Sequence, residues 1–229
     1  MIAKNRYPGR GIICGLAADG KRFCTYFITA RSEASRNRIL SCQNERVATA
    51  LLDPAQKTDP ELLVYTAMQR QGDALVVANG DHGDQIVASL AEDIPFVSSL
   101  HNVLFEPDEP HYTPRIAAVA EEEGYSMSII RRSGLIAGRT FYHYPYGEAG
   151  TGRIMHTYQG EGHPLPHFIG DPRPLCIEAE ADAVGKRVWE ELAEAHRLAV
   201  ATWVFDTKKK SRVEIIDERN PEGVWTALT

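Results

Sequence analysis

Two apolar runs, Gly11 to Leu16 and Phe23 to Thr29, flank Ala18-Asp19-Gly20-Lys21. An Asp-Gly pair between apolar runs marks a tight β-hairpin, so the chain opens on two antiparallel strands. Leu62 to Arg70 alternates in part, and Gln71-Gly72-Asp73 then turns the chain into the apolar run Ala74 to Ala78, which predicts a second hairpin ending in a buried strand. Further strands are predicted over Ile116 to Val119, Tyr125 to Arg131, Arg139 to Tyr144, Ile154 to Tyr158, Leu198 to Phe205 and Val213 to Ile216. Helical spacing is rarer. Asp84 is placed to cap a helix through Ile86, Val87 and Leu90 that Pro95 interrupts, and Glu180 to Ala195 carries Val184, Val188 and Leu192 on one face. A shorter helix is expected over Phe96 to Leu104. Many strands with a few amphipathic helices predict an α+β protein in which two antiparallel sheets pack face to face under flanking helices.

Composition narrows the picture. At 229 residues with ordinary apolar and charged fractions, one domain over 1–229 is expected. No apolar run approaches the roughly 20 residues that span a bilayer, and Met1-Ile2-Ala3-Lys4-Asn5-Arg6 is no apolar leader, so a cytoplasmic protein without a membrane partner is expected. Cys14, Cys24, Cys42 and Cys176 form no C-x-x-C pair and read as free thiols. The net charge of −6 disfavours nucleic acid as a partner. Yet Arg6, Arg10, Arg31, Arg36 and Arg38 concentrate positive charge near the start, where a small anion is the natural ligand.

Local segments with chemical capacity follow from there. Arg31-Ser32-Glu33-Ala34-Ser35-Arg36-Asn37-Arg38 combines guanidinium forks and hydroxyls able to hold a phosphate, or else forms a solvated loop. Asn79-Gly80-Asp81-His82-Gly83-Asp84 sits between a strand and a helix; it lacks both the Walker and the dinucleotide spacing, and serves either a ligand or only a turn. Phe105-Glu106-Pro107-Asp108-Glu109-Pro110-His111-Tyr112-Thr113-Pro114-Arg115-Ile116 brings three carboxylates, a phenol and a cation into one proline-stiffened loop, or else its acids are inert surface groups. His156, His163, His167 and Glu161 match no established metal spacing, and no metal is expected.

Taken in order, Tyr7-Pro8-Gly9-Arg10-Gly11, Arg31-Ser32 with Ser35-Arg36-Asn37-Arg38, Asp59-Pro60 with Tyr65, Asn79-Gly80-Asp81, Phe105-Glu106-Pro107-Asp108, Tyr112-Thr113-Pro114-Arg115-Ile116 and His156-Thr157-Tyr158 with Pro164-Leu165-Pro166 resemble the signatures of the IMP cyclohydrolase family. The match covers nearly the whole chain. The resemblance is to the archaeal enzymes and still more to their longer bacterial relatives. It implies an Ntn-hydrolase-like four-layer αββα sandwich with two mainly antiparallel sheets, but not the Ntn mechanism, because the start offers no Cys, Ser or Thr nucleophile.

The family's reaction is dehydrative ring closure of 5-formamidoimidazole-4-carboxamide ribonucleotide to IMP in purine biosynthesis. By motif position the resemblance assigns Arg38 to substrate contact and charge stabilisation, Tyr65 to proton donation or relay and Glu106 to the base, with Glu109 as the fallback base. Arg31, Ser32, Arg36, Asn37, Asn79, Gly80, Asp81, Tyr112 and Arg115 are the implied substrate-binding set. A purine nucleotide is the implied partner, no cofactor is required, and a homo-oligomer is compatible. The chain departs from the family pattern at His82-Gly83, His111, Arg153 and His167. The competing readings are a nucleotide-binding protein of the same fold without this activity, and a hydrolase of a related aminoimidazole ribonucleotide.

Overall fold

The computed structural model describes residues 5–56, 60–205 and 210–228. The Met1-Ile2-Ala3 start and Asp59 lie outside the described residues. The chain begins with β1 (Arg10–Leu16), β2 (Arg22–Thr29), the one-turn helix α1 (Glu33–Arg36), β3 (Ile39–Gln43) and β4 (Arg46–Ala50). It continues through α2 (Pro60–Leu63), β5 (Thr66–Gln71), β6 (Ala74–Ala78), α3 (His82–Ala91), α4 (Phe96–Ser99) and β7 (Arg115–Ala120). Then come β8 (Gly124–Ser133), β9 (Ile136–Pro145), β10 (Thr151–His156), β11 (Arg173–Cys176), α5 (Val184–Glu191), β12 (Arg197–Phe205), β13 (Ser211–Asp217) and β14 (Asn220–Leu228).

The strands form two seven-stranded sheets, ordered β11-β10-β1-β2-β12-β13-β14 and β3-β4-β5-β6-β7-β8-β9. Every neighbouring pair is antiparallel. Period-two alternation explains how they stack, because successive side chains point to opposite faces. In β2, Cys24, Tyr26 and Ile28 enter the core shared by both sheets, whereas Phe23 and Phe27 face outward onto Val184, Val188 and Trp189 of α5. In β6 and β7, Leu75, Val77, Ile116 and Ala118 enter the shared core, and Val76, Ala117 and Val119 pack outward with Ile86 of α3 and Phe96 of α4. The result is the expected α+β two-sheet sandwich. Its central strands are buried on both faces and read as continuous apolar runs for that reason.

Several local expectations are corrected. Leu62 and Leu63 close a helical turn, and the strand begins only at Thr66. The helix expected from Asp84 starts earlier, with Asp81 as its N-cap, and Asp84 lies in its first turn. The helix expected over Glu180 to Ala195 is a 3-10 turn followed by α5, which ends at Glu191. β3, β4, β11 and β14 were not anticipated.

Candidate active site

A cleft of about 410 Å³ opens at the end of the sandwich where β1 begins and β2 and β10 finish. Tyr7, Arg10, Arg31, Ser32, Ser35, Arg38, Glu106, Asp108, His111, Thr113, Tyr158 and Leu165 contribute to its walls. A larger groove of about 630 Å³ lies between α5 and β11, but apolar side chains and the Arg187–Glu191 ion pair line it.

Arg10 enters the cleft because of the glycine before it. Gly9 adopts φ +75°, and a Cβ there would fall 2.1 Å from Thr157 Oγ1 and 2.5 Å from the Tyr158 ring, so only glycine lets the strand start this close to β10's end. Arg10 then donates to Glu106 Oε2 at 2.9 Å and to the Asn79 carbonyl at 3.2 Å. Both members of the ion pair are buried, with Arg10 8 % and Glu106 3 % exposed. Burial alone would lower the Arg10 pKa, but the Glu106 carboxylate beside it holds the guanidinium firmly protonated. Burial pushes the Glu106 pKa above the ordinary carboxylate range, and Arg10 opposes that rise without cancelling it.

The loop bearing Glu106 is closed on itself. Glu106 N–H donates to the Thr113 carbonyl at 3.0 Å, and Asp108 accepts from Thr113 N–H at 2.6 Å and from the Thr113 hydroxyl, which also meets Tyr158 OH. Glu106 therefore faces the cleft with its backbone fixed. Glu109, the fallback base, is exposed and does not line the cleft.

The remaining predicted residues divide between the cleft and its supports. Arg38 is 6 % exposed and lines the cleft, with its Nε held on the Ser35 carbonyl at 2.9 Å. Arg31 and Ser32 line it too: Arg31 lies over the Tyr7 ring at 5.2 Å, and Ser32 caps α1 through Ser35. Tyr65 stands behind the cleft wall, where its hydroxyl meets that of Tyr26 at 2.7 Å. Asn79 clamps β7 by donating to the Pro114 carbonyl at 3.0 Å and accepting from Ile116 N–H at 2.7 Å. Gly80 makes room for Arg115, whose Nη1 would lie 2.5 Å from a Cβ there, and Arg115 pairs with Asp81. These three residues and Arg115 thus hold Arg10 and the Glu106 loop in place from outside the cleft.

Arg36 points away to Glu218 at 2.7 Å, Asn37 bridges the backbone of Asp53, and Tyr112 packs on Phe105 and under Arg132. Among His82, Gly83, His111, Arg153 and His167, His111 alone lines the cleft. His82 is buried between the Ile116 carbonyl and Arg115, Arg153 lies over Tyr144, and His167 bonds the His111 carbonyl at 2.7 Å. Sequence reasoning left Arg10, Tyr26, Thr113 and Tyr158 out of the site. For Arg10, Thr113 and Tyr158 the one available signal was membership of the quoted motifs, as for Arg10 in Tyr7-Pro8-Gly9-Arg10, and Tyr26 had none.

Fold and cleft together define an α+β sandwich protein with a buried carboxylate set among guanidinium groups, an arrangement suited to a small anionic ligand. The chain belongs to the IMP cyclohydrolase-like protein family, whose model matches residues 7–210. Among curated relatives it is similar to the IMP cyclohydrolase of Haloquadratum walsbyi, at 29 % identity over 57 % of this chain and 64 % of the relative. It is similar as well to that of Methanococcus aeolicus, at 27 % identity over 54 % and 63 % of the two chains. The enzyme of Methanocaldococcus jannaschii matches at 27 % over 54 % and 61 %. The matched stretch therefore spans slightly less than two thirds of the relatives' length.

Proposed function

We propose that the protein converts 5-formamidoimidazole-4-carboxamide ribonucleotide to IMP with loss of water. The observation that carries this reading is the buried Glu106–Arg10 pair in the wall of a cleft that also takes Arg31 and Arg38. Ring closure asks a poor nucleophile, a carboxamide nitrogen, to attack a formyl carbon. Glu106 takes one proton from that nitrogen as the N–C bond forms, and burial, by raising its pKa, makes it a stronger base than an exposed carboxylate. Arg38 stabilises the negative charge that gathers on the former formyl oxygen. That oxygen then leaves as water with two protons, one originating on the carboxamide nitrogen and one on the formamide nitrogen, and the C=N bond forms. Tyr65, whose hydroxyl meets that of Tyr26 behind the cleft wall, is the proton donor or relay that the family resemblance implies.

The family's Ntn-hydrolase-like αββα sandwich is the architecture we assign to this single domain, with helices outside both sheets in support. Neither metal nor organic cofactor enters the reaction, and the cytoplasm is its expected place. A second reading, a related aminoimidazole ribonucleotide as substrate, draws on His111 in the cleft wall. Ultraviolet detection of IMP formed from the formamido nucleotide decides between them. Appearance of IMP supports ring closure, and its absence with a folded protein rejects it.

A further inference from the structure

Cys14 and Cys24 meet inside the sandwich, directly opposite each other on β1 and β2. The register of this hairpin is anchored at both ends, where Ala17 N–H donates to the Lys21 carbonyl at 2.9 Å and Thr29 N–H donates to the Gly9 carbonyl at 2.7 Å. Hydrogen-bonded and non-hydrogen-bonded pairs alternate along an antiparallel ladder, and counting inward from either anchor makes Cys14 and Cys24 a non-hydrogen-bonded pair. Such pairs bring their Cα atoms to about 4.5 Å, inside the span of about 4.4 to 6.8 Å that a disulfide bridges. The side chains point the same way, for the Cys24 thiol donates to Cys14 Sγ at 3.3 Å.

Both thiols are fully buried in the core between the sheets, which also takes Tyr125 and, from the loop after β9, the partly buried Tyr146. Burial, reinforced by Cys24, pushes the Cys14 thiol well above its ordinary range, so it stays protonated at neutral pH and reacts slowly. A bulky or charged oxidant has no way to it; a small neutral hydroperoxide does. Attack of Cys14 Sγ on hydrogen peroxide breaks the O–O bond and leaves a sulfenic acid, and the thiol proton departs with the released oxygen as water. The Cys24 sulfur then displaces the sulfenic hydroxyl, which takes the Cys24 proton and leaves as a second water while the S–S bond forms. The two thiols give up two electrons and the peroxide gains them. For this closure the sulfurs approach by only about 1 Å, to a bond of about 2.05 Å, so the sulfenic acid is captured before it is oxidised further.

We propose that Cys14 and Cys24 are a redox modification site, at which a small hydroperoxide converts the pair to a cross-strand disulfide that staples the first hairpin and that low-molecular-weight thiols reverse by exchange. Neither cysteine lines the cleft, and the inference is independent of the ring-closure reading.

Hydrogen peroxide added to the folded chain, followed by unfolding in iodoacetamide and peptide mass spectrometry, tests it. The expected product is a linked pair of peptides carrying Cys14 and Cys24, lighter by two hydrogens than the separate thiol peptides, with both cysteines protected from alkylation. Dithiothreitol should return both to the alkylated form. Cys176→Ser, which removes the exposed thiol, should give the same linkage, and Cys24→Ala should leave Cys14 unlinked. If Cys14 and Cys24 remain fully alkylated while Cys176 is oxidised, the oxidant does not reach the pair and the proposal falls. A Cys14–Cys24 link that forms only when peroxide meets the urea-unfolded chain also overturns it, because the folded register then plays no part.

Discussion

Arg10→Met removes the charged partner of Glu106 while leaving the carboxylate buried. Breaking one side of a buried ion pair typically costs about 3 to 5 kcal/mol, because the remaining charge is left uncompensated. The 2.9 Å contact and the near-complete burial of both side chains place this pair in that class. The carboxylate can escape the penalty by taking up a proton, and each pH unit of displacement corresponds to about 1.4 kcal/mol. A penalty of about 3 kcal/mol is therefore relieved by an upward move of about two pH units in the Glu106 titration. The sign is fixed by linkage. A carboxyl group whose folded pKa lies above its unfolded value contributes stability below the unfolded pKa, and this is lost as pH rises through the folded pKa. The destabilisation of Arg10→Met should consequently be small near pH 5 and grow by several kcal/mol toward pH 9. Urea denaturation at both pH values measures it, with Arg10→Met/Glu106→Gln as the control in which the dependence disappears. The acidic limb of the pH–rate profile should move upward by about the same two units. A loss of stability that is identical at both pH values and in the control would refute the electrostatic account of this pair.

Other outcomes follow from the same structure. Burial lowers the His82 pKa from 6.5 to about 3, aided by Arg115. This histidine's contribution is present above about pH 6.5 and is lost as pH falls toward about 3, so His82→Gln, which removes the titrating ring and keeps a donor for the Ile116 carbonyl, should flatten the decline in that window. An unchanged slope in chemical denaturation between pH 7 and pH 4 would contradict it. Turnover should survive exhaustive chelation, because His156 is tied to the Tyr158 carbonyl at 2.8 Å, His163 packs on His111, and His167 bonds the His111 backbone. Stoichiometric zinc with chelator-sensitive turnover would defeat that expectation.

The central hairpins were legible because their side chains are apolar on both faces and the Asp19-Gly20 turn is a strong local signal. β3 and β4 were hidden for opposite reasons. Their strands carry Ser41, Gln43 and Arg46, and they are joined through Asn44 and Glu45 at φ 50° and 56°, a primed-type turn without the glycine that normally advertises it. β14 contains Pro221 and Gly223 and is half exposed at a sheet edge, where no alternation is enforced. Within the site, the arginine cluster near the start was visible as charge. Its division was not: Arg10, Arg31 and Arg38 reach the cleft, whereas Arg36 turns to Glu218, and nothing local to the sequence separates them. Arg10 was hardest to assign, because its partner Glu106 lies 96 residues away and only the folded arrangement of β1 against the Glu106 loop joins them.

Glu106→Gln tests the central claim most directly, since it keeps the shape and hydrogen bonding of the side chain while removing its basicity. Asp108→Asn and Glu109→Gln are the matched controls. Loss of a general base typically costs about a hundredfold to ten-thousandfold in rate. In an ultraviolet assay of IMP formation from 5-formamidoimidazole-4-carboxamide ribonucleotide, Glu106→Gln should lose at least about two orders of magnitude in kcat, with IMP affinity unchanged within a few-fold. Full ring-closing activity in Glu106→Gln would contradict the account, and loss of activity confined to Glu109→Gln would move the base to Glu109.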